Sequence, residues 1–245
     1  MRRLLIALLF VFASLPVAGV NTVVVMRHAA AGGAFCDGTF QFCESAFADL
    51  TNFDATTAIG TWSVSGGHVV GPTSGVGMLF HDTAAGGATQ YAIVRLDTLA
   101  GNQGVFLRGN SAGGFNYTVY RTSTATYWSV SDNFATWVED IGYCTIAWSA
   151  GDYMLASVSG TGATTIFKIW KETTMPTAAP SGTADCTFTG GTGATSAGDG
   201  SAAECQIPAN LCSPVQACDT GTKVGIHCDT GASGANWDDF AAGGS

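Results

Sequence analysis

The stretch IAWSAGDYMLASVSGTGATTIFKIW, residues 146–170, contains two runs of alternating side chains on either side of a glycine-rich turn. Apolar residues at every second position share one face of each run: Met154, Ala156 and Val158 in the first, Phe167 and Ile169 in the second. A period of two places these residues on one side of an extended strand. The stretch therefore predicts a β-hairpin with its turn at 159–162.

The same alternation recurs along most of the chain. Short runs rich in β-branched and aromatic residues are separated by turn residues, and no long segment has the 3.6-residue period of a helix. This spacing favours an all-β fold, a two-sheet antiparallel β-sandwich of the jelly-roll type. Besides the hairpin, we expect strands at 47–53, 60–64, 68–70, 76–80, 89–97, 104–108, 115–121, 125–130, 134–138, 223–228 and 236–242.

The composition restricts the class of partner. Charged residues make up 11% of the 245 residues, less than half of the usual share of about 25% in globular proteins. The formal net charge is −9, so nucleic acid and anionic membranes are poor partners for the chain. Hydrophobic residues account for 47% of the sequence, which is ample for a core.

The first 19 residues have the pattern of a secretory signal peptide. Arg2 and Arg3 form a basic start, an apolar run follows at 4–12, and Val17, Ala18 and Gly19 provide small residues for cleavage. The apolar run is too short to cross a bilayer, and no later segment has about 18 continuous apolar residues. We therefore expect a secreted, extracellular protein without membrane insertion.

The eight cysteines agree with export, because an even number in an oxidising compartment predicts disulfides. The alternative of a zinc site is less favoured because the sequence lacks the Cys-x-x-Cys spacing. We expect a local Cys36–Cys43 loop. A second group of cysteines is expected to staple a late insertion: Cys186, Cys205, Cys212 and Cys218.

The composition also predicts the domain organisation. Residues 20–46 are expected to form an N-terminal arm with a cysteine loop, and residues 47–243 a single jelly-roll domain. Within that domain, residues 171–222 are rich in Gly, Ser and Thr and carry few core residues. Such a long segment in a compact domain is unusual unless it is functional or stapled. We interpret it as a disulfide-stapled surface insertion.

Two short motifs of catalytic families are present without their structural context. Arg27-His28 at the end of an apolar run is similar to the opening motif of histidine phosphatases, but the chain that follows is all-β. Gly109-x-Ser111-x-Gly113 matches the serine-hydrolase elbow, but a strand follows where the elbow requires a helix. A first strand or arm, and a Gly/Ser hairpin loop, explain these residues more simply.

Several segments together resemble concanavalin A-like, laminin-G-like jelly-roll domains. They are Phe47-x-Asp49-x-x-x-Phe53, Gly60-Thr-Trp62, the strands QYAIVRL and GVFLRG, and the closing Lys-Val-Gly-Ile and Trp237-Asp-Asp-Phe240. The resemblance covers residues 47–243 apart from the insertion. It implies a secreted module, and many members of this superfamily bind glycans or other surface ligands. Some members are glycosidases.

The carboxylates do not have the spacing of the glycosidases that share this fold. Those enzymes supply two carboxyl groups from one strand as Glu-x-Asp-x-x-Glu or Glu-x-Asp-x-Glu, and no glutamate of this chain stands in that pattern. Glu139 and Asp140 are adjacent, so on a strand they face opposite sides. A hydrolase would need carboxylates brought together from distant segments.

A binding face is better represented than a catalytic one. Aromatic rings can stack on the C–H faces of sugars, while Arg, Asp and Asn can bond their hydroxyls. About half of the aromatic residues on the strands of a sandwich must face its core, and we favour Tyr127 and Trp137 as exposed. The candidate ligand-binding residues are Arg108, Tyr117, Tyr127, Trp128, Asp132, Asn133 and Trp137.

A calcium site is a further expectation. Asp49, near the first family-like segment, and Asp238, in the last strand, come together if the first and last strands pair. Ca²⁺ prefers several oxygen ligands, including carboxylates. The alternative is that both are solvated aspartates of turns.

Three functional hypotheses follow. The first is a secreted, non-catalytic β-sandwich module that binds extracellular or cell-surface glycan. The second is a structural subunit of an extracellular surface assembly or filament, in which the arm at 20–34 adds a strand to a neighbouring copy. The third is a glycan-active hydrolase with dispersed carboxylates.

Overall fold

The structure is a computed structural model. It describes residues 34–54, 58–87, 89–109, 116–132, 136–161, 164–189, 221–229 and 235–244, and the side chains at 130–141 lie outside the description. The predicted signal peptide and most of the predicted arm and insertion lie outside these ranges. Within them, no helix is long and apolar enough to cross a bilayer.

One sheet has eight strands, with the order β12-β11-β10-β5-β14-β3-β2 and with β1 also paired to β14. The last strand, β14, is long enough to hold β5 along one edge and both β1 and β3 along the other. The strands of this sheet are β1 (Phe42–Ser45), β2 (Ser63–Ser65), β3 (His68–Val70), β5 (Gln90–Leu96), β10 (Tyr153–Ser159), β11 (Ile166–Glu172), β12 (Cys186–Thr189) and β14 (Asn236–Gly244).

The other sheet has six strands in the order β4-β13-β6-β7-β8-β9, all antiparallel. Its strands are β4 (Gly77–Phe80), β6 (Gln103–Gly109), β7 (Asn116–Arg121), β8 (Thr126–Asp132), β9 (Thr136–Cys144) and β13 (Lys223–Cys228). A short 3₁₀ turn is formed at Ala34–Asp37.

The main core lies between the two sheets. Val94 and Trp237 contribute from the eight-stranded sheet, and Val105, Trp128 and Ile226 from the six-stranded sheet, all with fully buried side chains. This packing of two inner faces is the defining feature of a sandwich. The predicted all-β, two-sheet antiparallel architecture is therefore confirmed.

The hairpin that opened the sequence analysis is also confirmed. Met154 and Phe167 belong to the core between the sheets, as the alternation predicts. Tyr153, Leu155 and Trp170 face the other way and are buried in a second apolar cluster. That cluster includes Phe35 and Phe40, so the chain before β1 packs on the outer face of the eight-stranded sheet.

One expected strand is wrong. Residues 47–53 form a turn, closed by a hydrogen bond from the Phe53 amide to the Leu50 carbonyl, followed by a single bridge between Phe53 and His81. Phe47 and Phe53 are nevertheless buried, so their spacing reports anchoring in the core, not an extended strand. Two strands were not predicted: β1 at 42–45, which pairs with β14, and β12 at 186–189, which pairs with β11.

Two disulfides connect described residues. Cys36–Cys43 forms the expected local loop, which is confirmed. Cys186, which lies within the predicted insertion, bonds Cys144, a pairing that the sequence left open. The two cysteines meet because Cys186 begins β12, an edge strand facing the end of β9 across the sandwich. Cys205, Cys212 and Cys218 lie outside the described residues.

Candidate functional site

Three tyrosines lie side by side on the outer face of the six-stranded sheet. Tyr120 of β7 pairs with Tyr127 of β8, and Tyr127 pairs with Tyr143 of β9. Their neighbours Val119, Trp128 and Cys144 point into the core. Because successive side chains alternate between the two faces, the three tyrosines point outward. We call this set, together with His227, the tyrosine row.

The rings of the row are in contact. Tyr120 and Tyr127 stack with centroids 5.3 Å apart and an interplanar angle of 12°, and Tyr127 and Tyr143 lie 5.6 Å apart with a tilt of 38°. Tyr120 is 6% exposed, whereas Tyr127 and Tyr143 are half-buried. The row thus presents its open aromatic surface toward the β8–β9 edge.

The inner end of the row is closed by His227 of β13. Gly104 pairs with both His227 and Tyr120, and because it has no side chain the imidazole approaches the Tyr120 ring, with centroids 6.0 Å apart. His227 is 3% exposed, and neither ring nitrogen has a hydrogen-bond partner. Burial lowers the pKa of His227 to about 4, so the imidazole is neutral near pH 7.

A cleft of about 450 Å³ lies at the end of the six-stranded sheet where the β7–β8 turn meets the residues that follow β9. It is lined by the β7–β8 turn, residues 121–124, by residues 145–148 after β9, and by Leu99. Trp148 donates its indole N–H to the Thr126 hydroxyl at 2.6 Å. Arg121 donates to the Thr122 carbonyl and Gln103, and burial lowers its pKa. The cleft therefore combines an anchored indole, several hydroxyls and one held guanidinium.

Three of the predicted ligand-binding residues are inside the molecule. Tyr117 and Trp128 are fully buried and pack on Phe167 across the core. Arg108 is also fully buried, and its guanidinium donates to the carbonyl of Gly160 at 2.6 Å, in the turn of the β10–β11 hairpin. The expectation that these three face a ligand is corrected. Alternation along the strands puts Tyr117 and Trp128 on the same face as the core residues Val119 and Leu107. Arg108 is held inside by its hydrogen bond to Gly160.

The remaining candidates stay open. The structure places Tyr127 in the tyrosine row, where its side chain is half-buried. Asp132 and Trp137 lie in β8 and β9, but their side chains are outside the description, as is Asn133. Tyr143, Trp148 and His227 were not singled out from the sequence. Tyr120 and Tyr127 stand equidistant from the centre of the Thr122–Ala125 turn, and that hairpin symmetry is a signal for the pairing of their rings.

On the opposite side of the sandwich, a group of charged residues lies on the outer face of the eight-stranded sheet. We call His68, Arg95, Asp97 and Asp238 the charged group. The Nδ1 atom of His68 is 3.6 Å from a carboxylate oxygen of Asp97 and 3.6 Å from one of Asp238. Arg95 forms an ion pair with the second oxygen of Asp238.

A β-bulge places Asp238 in this group. Trp237 pairs with Leu96 but Phe240 pairs with Val94, so three steps along β14 oppose two along β5. Trp237 and Phe240 both enter the core, and both intervening aspartates point outward beside Arg95. Asp239 accepts hydrogen bonds from Ser45 and Tyr153 at 2.7 and 2.9 Å, and its burial raises the pKa of its carboxyl.

Asp49, the other predicted calcium ligand, lies in the turn that follows β1. The Asp49 carboxylate accepts hydrogen bonds from the amide and hydroxyl of Thr51, as in the turn alternative. Among the described residues, the group suited to a metal ion is His68, Asp97 and Asp238, whose ligand atoms lie within 4.8 Å of one another. Asp238 thus remains a candidate ligand, with partners different from those expected.

Comparison with known proteins finds no matching family model and no matching curated protein. Solved structures do match. The carbohydrate-binding module CBM66 from Bacillus subtilis matches at 12% identity with a TM-score of 0.43, over 78% of this chain and 96% of that one. The VIP36 exoplasmic/lumenal domain in its Ca²⁺- and mannose-bound form matches at 10% identity, 78% and 82% coverage, and a TM-score of 0.44.

A putative beta-glucanase from Mycobacterium abscessus matches at 9% identity with a TM-score of 0.42, over 83% of this chain and 99% of that one. The two-sheet antiparallel β-sandwich predicted from the sequence is confirmed by the two sheets described above. At these identities and TM-scores, the ligands and reactions of the matched proteins say nothing about the site of this chain.

Proposed function

We propose that this chain is a non-catalytic carbohydrate-binding module whose ligand is an extracellular or cell-surface glycan. The observation that supports the proposal is the alignment of Tyr120, Tyr127 and Tyr143 in one register across three strands, on the outer face of the six-stranded sheet. We assign the glycan to Tyr127, Tyr143 and the cleft, because Tyr120 is too deeply buried to offer a face.

The chemistry of this surface suits a sugar. Pyranose rings have apolar C–H faces that stack on aromatic rings, and the two half-buried tyrosines, with centroids 5.6 Å apart, offer adjacent platforms. Sugar hydroxyls need polar partners, which the Thr122–Thr124 turn and Thr145 of the cleft provide.

The side chains of this surface favour binding over hydrolysis. A glycosidase needs two carboxyl groups about 5–10 Å apart on either side of the bond that it cleaves. Among the described side chains of the tyrosine row and the cleft, none carries a carboxyl group. The proposal therefore assigns recognition to this surface and no bond cleavage.

The proposal includes a location outside the cytoplasm. The two disulfides between described residues support it, because such bonds persist in oxidising compartments. Secretion is tested by expressing the full chain in a secreting host and determining the N-terminus of the exported protein. Cleavage after residue 19 is the expected result, and retention inside the cell would contradict it.

The binding proposal is tested with the secreted, oxidised protein on a glycan array, after size-exclusion chromatography with light scattering. We expect a monomer that binds a defined glycan, and we expect Tyr127→Ala and Tyr143→Ala each to weaken that binding at least tenfold, about 1.4 kcal/mol. Tyr91→Ala is the matched control, because Tyr91 is a half-buried tyrosine on the other sheet.

Equal binding by the wild type and both variants would refute the assigned surface. In that case Trp137→Ala tests the other aromatic that the sequence predicts to be exposed. Large assemblies without any glycan signal would favour the structural-subunit hypothesis over binding. Product release from a polysaccharide panel, abolished by Glu139→Gln, would instead favour the hydrolase.

A further inference from the structure

Three potential metal ligands converge on the outer face of the eight-stranded sheet, far from the tyrosine row. His68 begins β3, Asp97 directly follows β5, and Asp238 lies in β14 between those two strands. Their neighbours Val69, Leu96 and Trp237 form one paired row in the core. The alternation therefore fixes all three polar side chains on the same outer surface.

One nitrogen of the charged group lacks a hydrogen-bond partner. His68 Nδ1 is inaccessible to solvent and has no hydrogen-bond partner, although two carboxylate oxygens lie 3.6 Å away. That distance exceeds the 2.7–3.2 Å of an N–H···O hydrogen bond. Arg95 already offsets one of the two negative charges through its ion pair with Asp238, and a cation bound between His68 and the two carboxylates would be attracted by the other.

Two of the three distances among these atoms match a metal coordination shell, and the third, between oxygens of Asp97 and Asp238, is within 4.8 Å. Bonds of about 2.1 Å from a tetrahedral ion to nitrogen and oxygen place neighbouring ligands about 3.4 Å apart. Both distances from His68 Nδ1 are close to that value. Arg95 holds the second oxygen of Asp238, which turns the first toward His68. A partner that orients a ligating carboxylate in this way is typical of metal sites.

We propose that His68 Nδ1, Asp97 and Asp238 bind one divalent transition-metal ion of the Zn²⁺ class, with water as the fourth ligand. A set of one imidazole and two carboxylates suits such ions, whereas Ca²⁺ prefers six to eight oxygens. The partial exposure of all three side chains, 20–29%, leaves room for the water. The inference is independent of the glycan proposal, since the two surfaces lie on opposite sheets.

The role that the fold assigns to this ion is a clamp. The β2–β3 hairpin is held to β14 by only two paired positions, at Val69 and Val70. A metal bound to His68, Asp97 and Asp238 joins the hairpin to two central strands. We therefore expect the metal to raise the thermal midpoint of the protein without changing its glycan binding.

The test uses full-length oxidised protein dialysed against a chelator and titrated separately with Zn²⁺, Co²⁺ and Ca²⁺. We expect one equivalent of Zn²⁺ to bind, and a Co²⁺ spectrum for that site without a thiolate charge-transfer band. His68→Ala and Asp97→Asn should weaken the affinity for Zn²⁺ by more than about 100-fold, since removing even an outer partner costs 10–100-fold. Asp49→Asn is the control and should bind like the wild type.

Circular dichroism of each variant establishes that it is folded, and the nearly isosteric Asp97→Asn covers the case in which His68→Ala is not. The inference is overturned if the wild type takes up no Zn²⁺, or if both variants bind it unchanged. Uptake accompanied by a thiolate band and unaffected by the variants would place the ion on cysteines. Binding of Ca²⁺ but not Zn²⁺ would refute the class of metal.

Discussion

His227 is a polar side chain that the fold buries without hydrogen-bond partners. Its imidazole is buried at the closed end of the tyrosine row with both nitrogens unpartnered, a situation that costs about 1–3 kcal/mol in a folded protein. The same burial makes the protonated form unfavourable and lowers the pKa of His227 from 6.5 to about 4.

This shift makes stability depend on pH. Between pH 6.5 and about 4 the unfolded chain binds a proton at His227 that the folded chain does not bind, so the free energy of unfolding falls as the pH falls through that window. Above pH 6.5 the imidazole is neutral in both states, and below pH 4 it is protonated in both. The contribution amounts to about 3 kcal/mol at about 1.4 kcal/mol per pKa unit.

We expect His227→Phe to remove this dependence and to stabilise the protein by about 1 kcal/mol at pH 7, because Phe keeps the ring contact with Tyr120 and adds no unpaired nitrogen. The measurement is urea unfolding of both proteins at several values between pH 4 and 7. The comparison uses the difference in the free energy of unfolding between the two proteins, because the raised pKa of Asp239 changes the stability of both in the opposite direction at acid pH. Tyr120→Phe is the control. If the free energy of unfolding depends on pH with the same slope in the wild type and in His227→Phe, the argument is contradicted.

At the level of single strands, the WDDF sequence at 237–240 shows where reading alternation from sequence fails. Strict alternation puts Trp237 and Asp239 on one face and Asp238 and Phe240 on the other, so either an aspartate would enter the core between the sheets or an aromatic would leave it. The bulge resolves the conflict by adding one residue, so both aromatics enter the core. The conflict itself is visible in the sequence, but the bulge that resolves it depends on the pairing with β5.

Gly104 shows how one residue controls the approach of two strands. A methyl group at this position would collide with the carbonyl oxygen of Val119 and come within 2.7 Å of the Cα atom of Tyr120. Both atoms belong to the backbone of β7, so the collision cannot be relieved by a side-chain rotation. Gly104 is also the gap across which His227 meets Tyr120.

Gly104→Ala is therefore expected to destabilise the protein by about 1–3 kcal/mol, the range for overpacking, and to disturb the tyrosine row. Urea unfolding measures the first effect, and the near-ultraviolet circular dichroism of the tyrosines measures the second. Gly86→Ala is the matched control, because a methyl group there meets nothing within 4 Å. Equal stability of the two variants would contradict the close approach of β6 and β7 at Gly104.

At the scale of the whole molecule, the sandwich could be predicted from the sequence because the patterns that identify its strands are local. Alternation in 153–158 and 166–170 and turns such as Ala150-Gly151-Asp152 identify strands without knowledge of their partners. The site depends on partners from distant strands. Tyr143 joins Tyr127, and His68 joins Asp97 and Asp238, only through the order and register of the sheets, which one sequence does not specify.

The disulfides differ in what they hold together. Cys144 ends β9 in the six-stranded sheet and Cys186 begins β12 in the eight-stranded sheet, so their bond links the two layers at one edge of the sandwich. Cys36–Cys43 closes a loop of sequence separation 7 beside β1, whereas Cys144–Cys186 spans 42 residues. In the chain-entropy model, the longer loop restricts the unfolded chain more.

We expect the double variant Cys144→Ala/Cys186→Ala to lose about 4 kcal/mol of stability and Cys36→Ala/Cys43→Ala about 2 kcal/mol, relative to the oxidised wild type. Replacing both partners avoids new free thiols. Burial raises the pKa of Cys228 to about 12, so that thiol stays protonated and does not exchange. Urea unfolding at neutral pH gives both free energies, with the local loop as the internal control. A larger loss for Cys36 and Cys43 would mean that the chain packed before β1, not the link between the sheets, limits the stability of the sandwich.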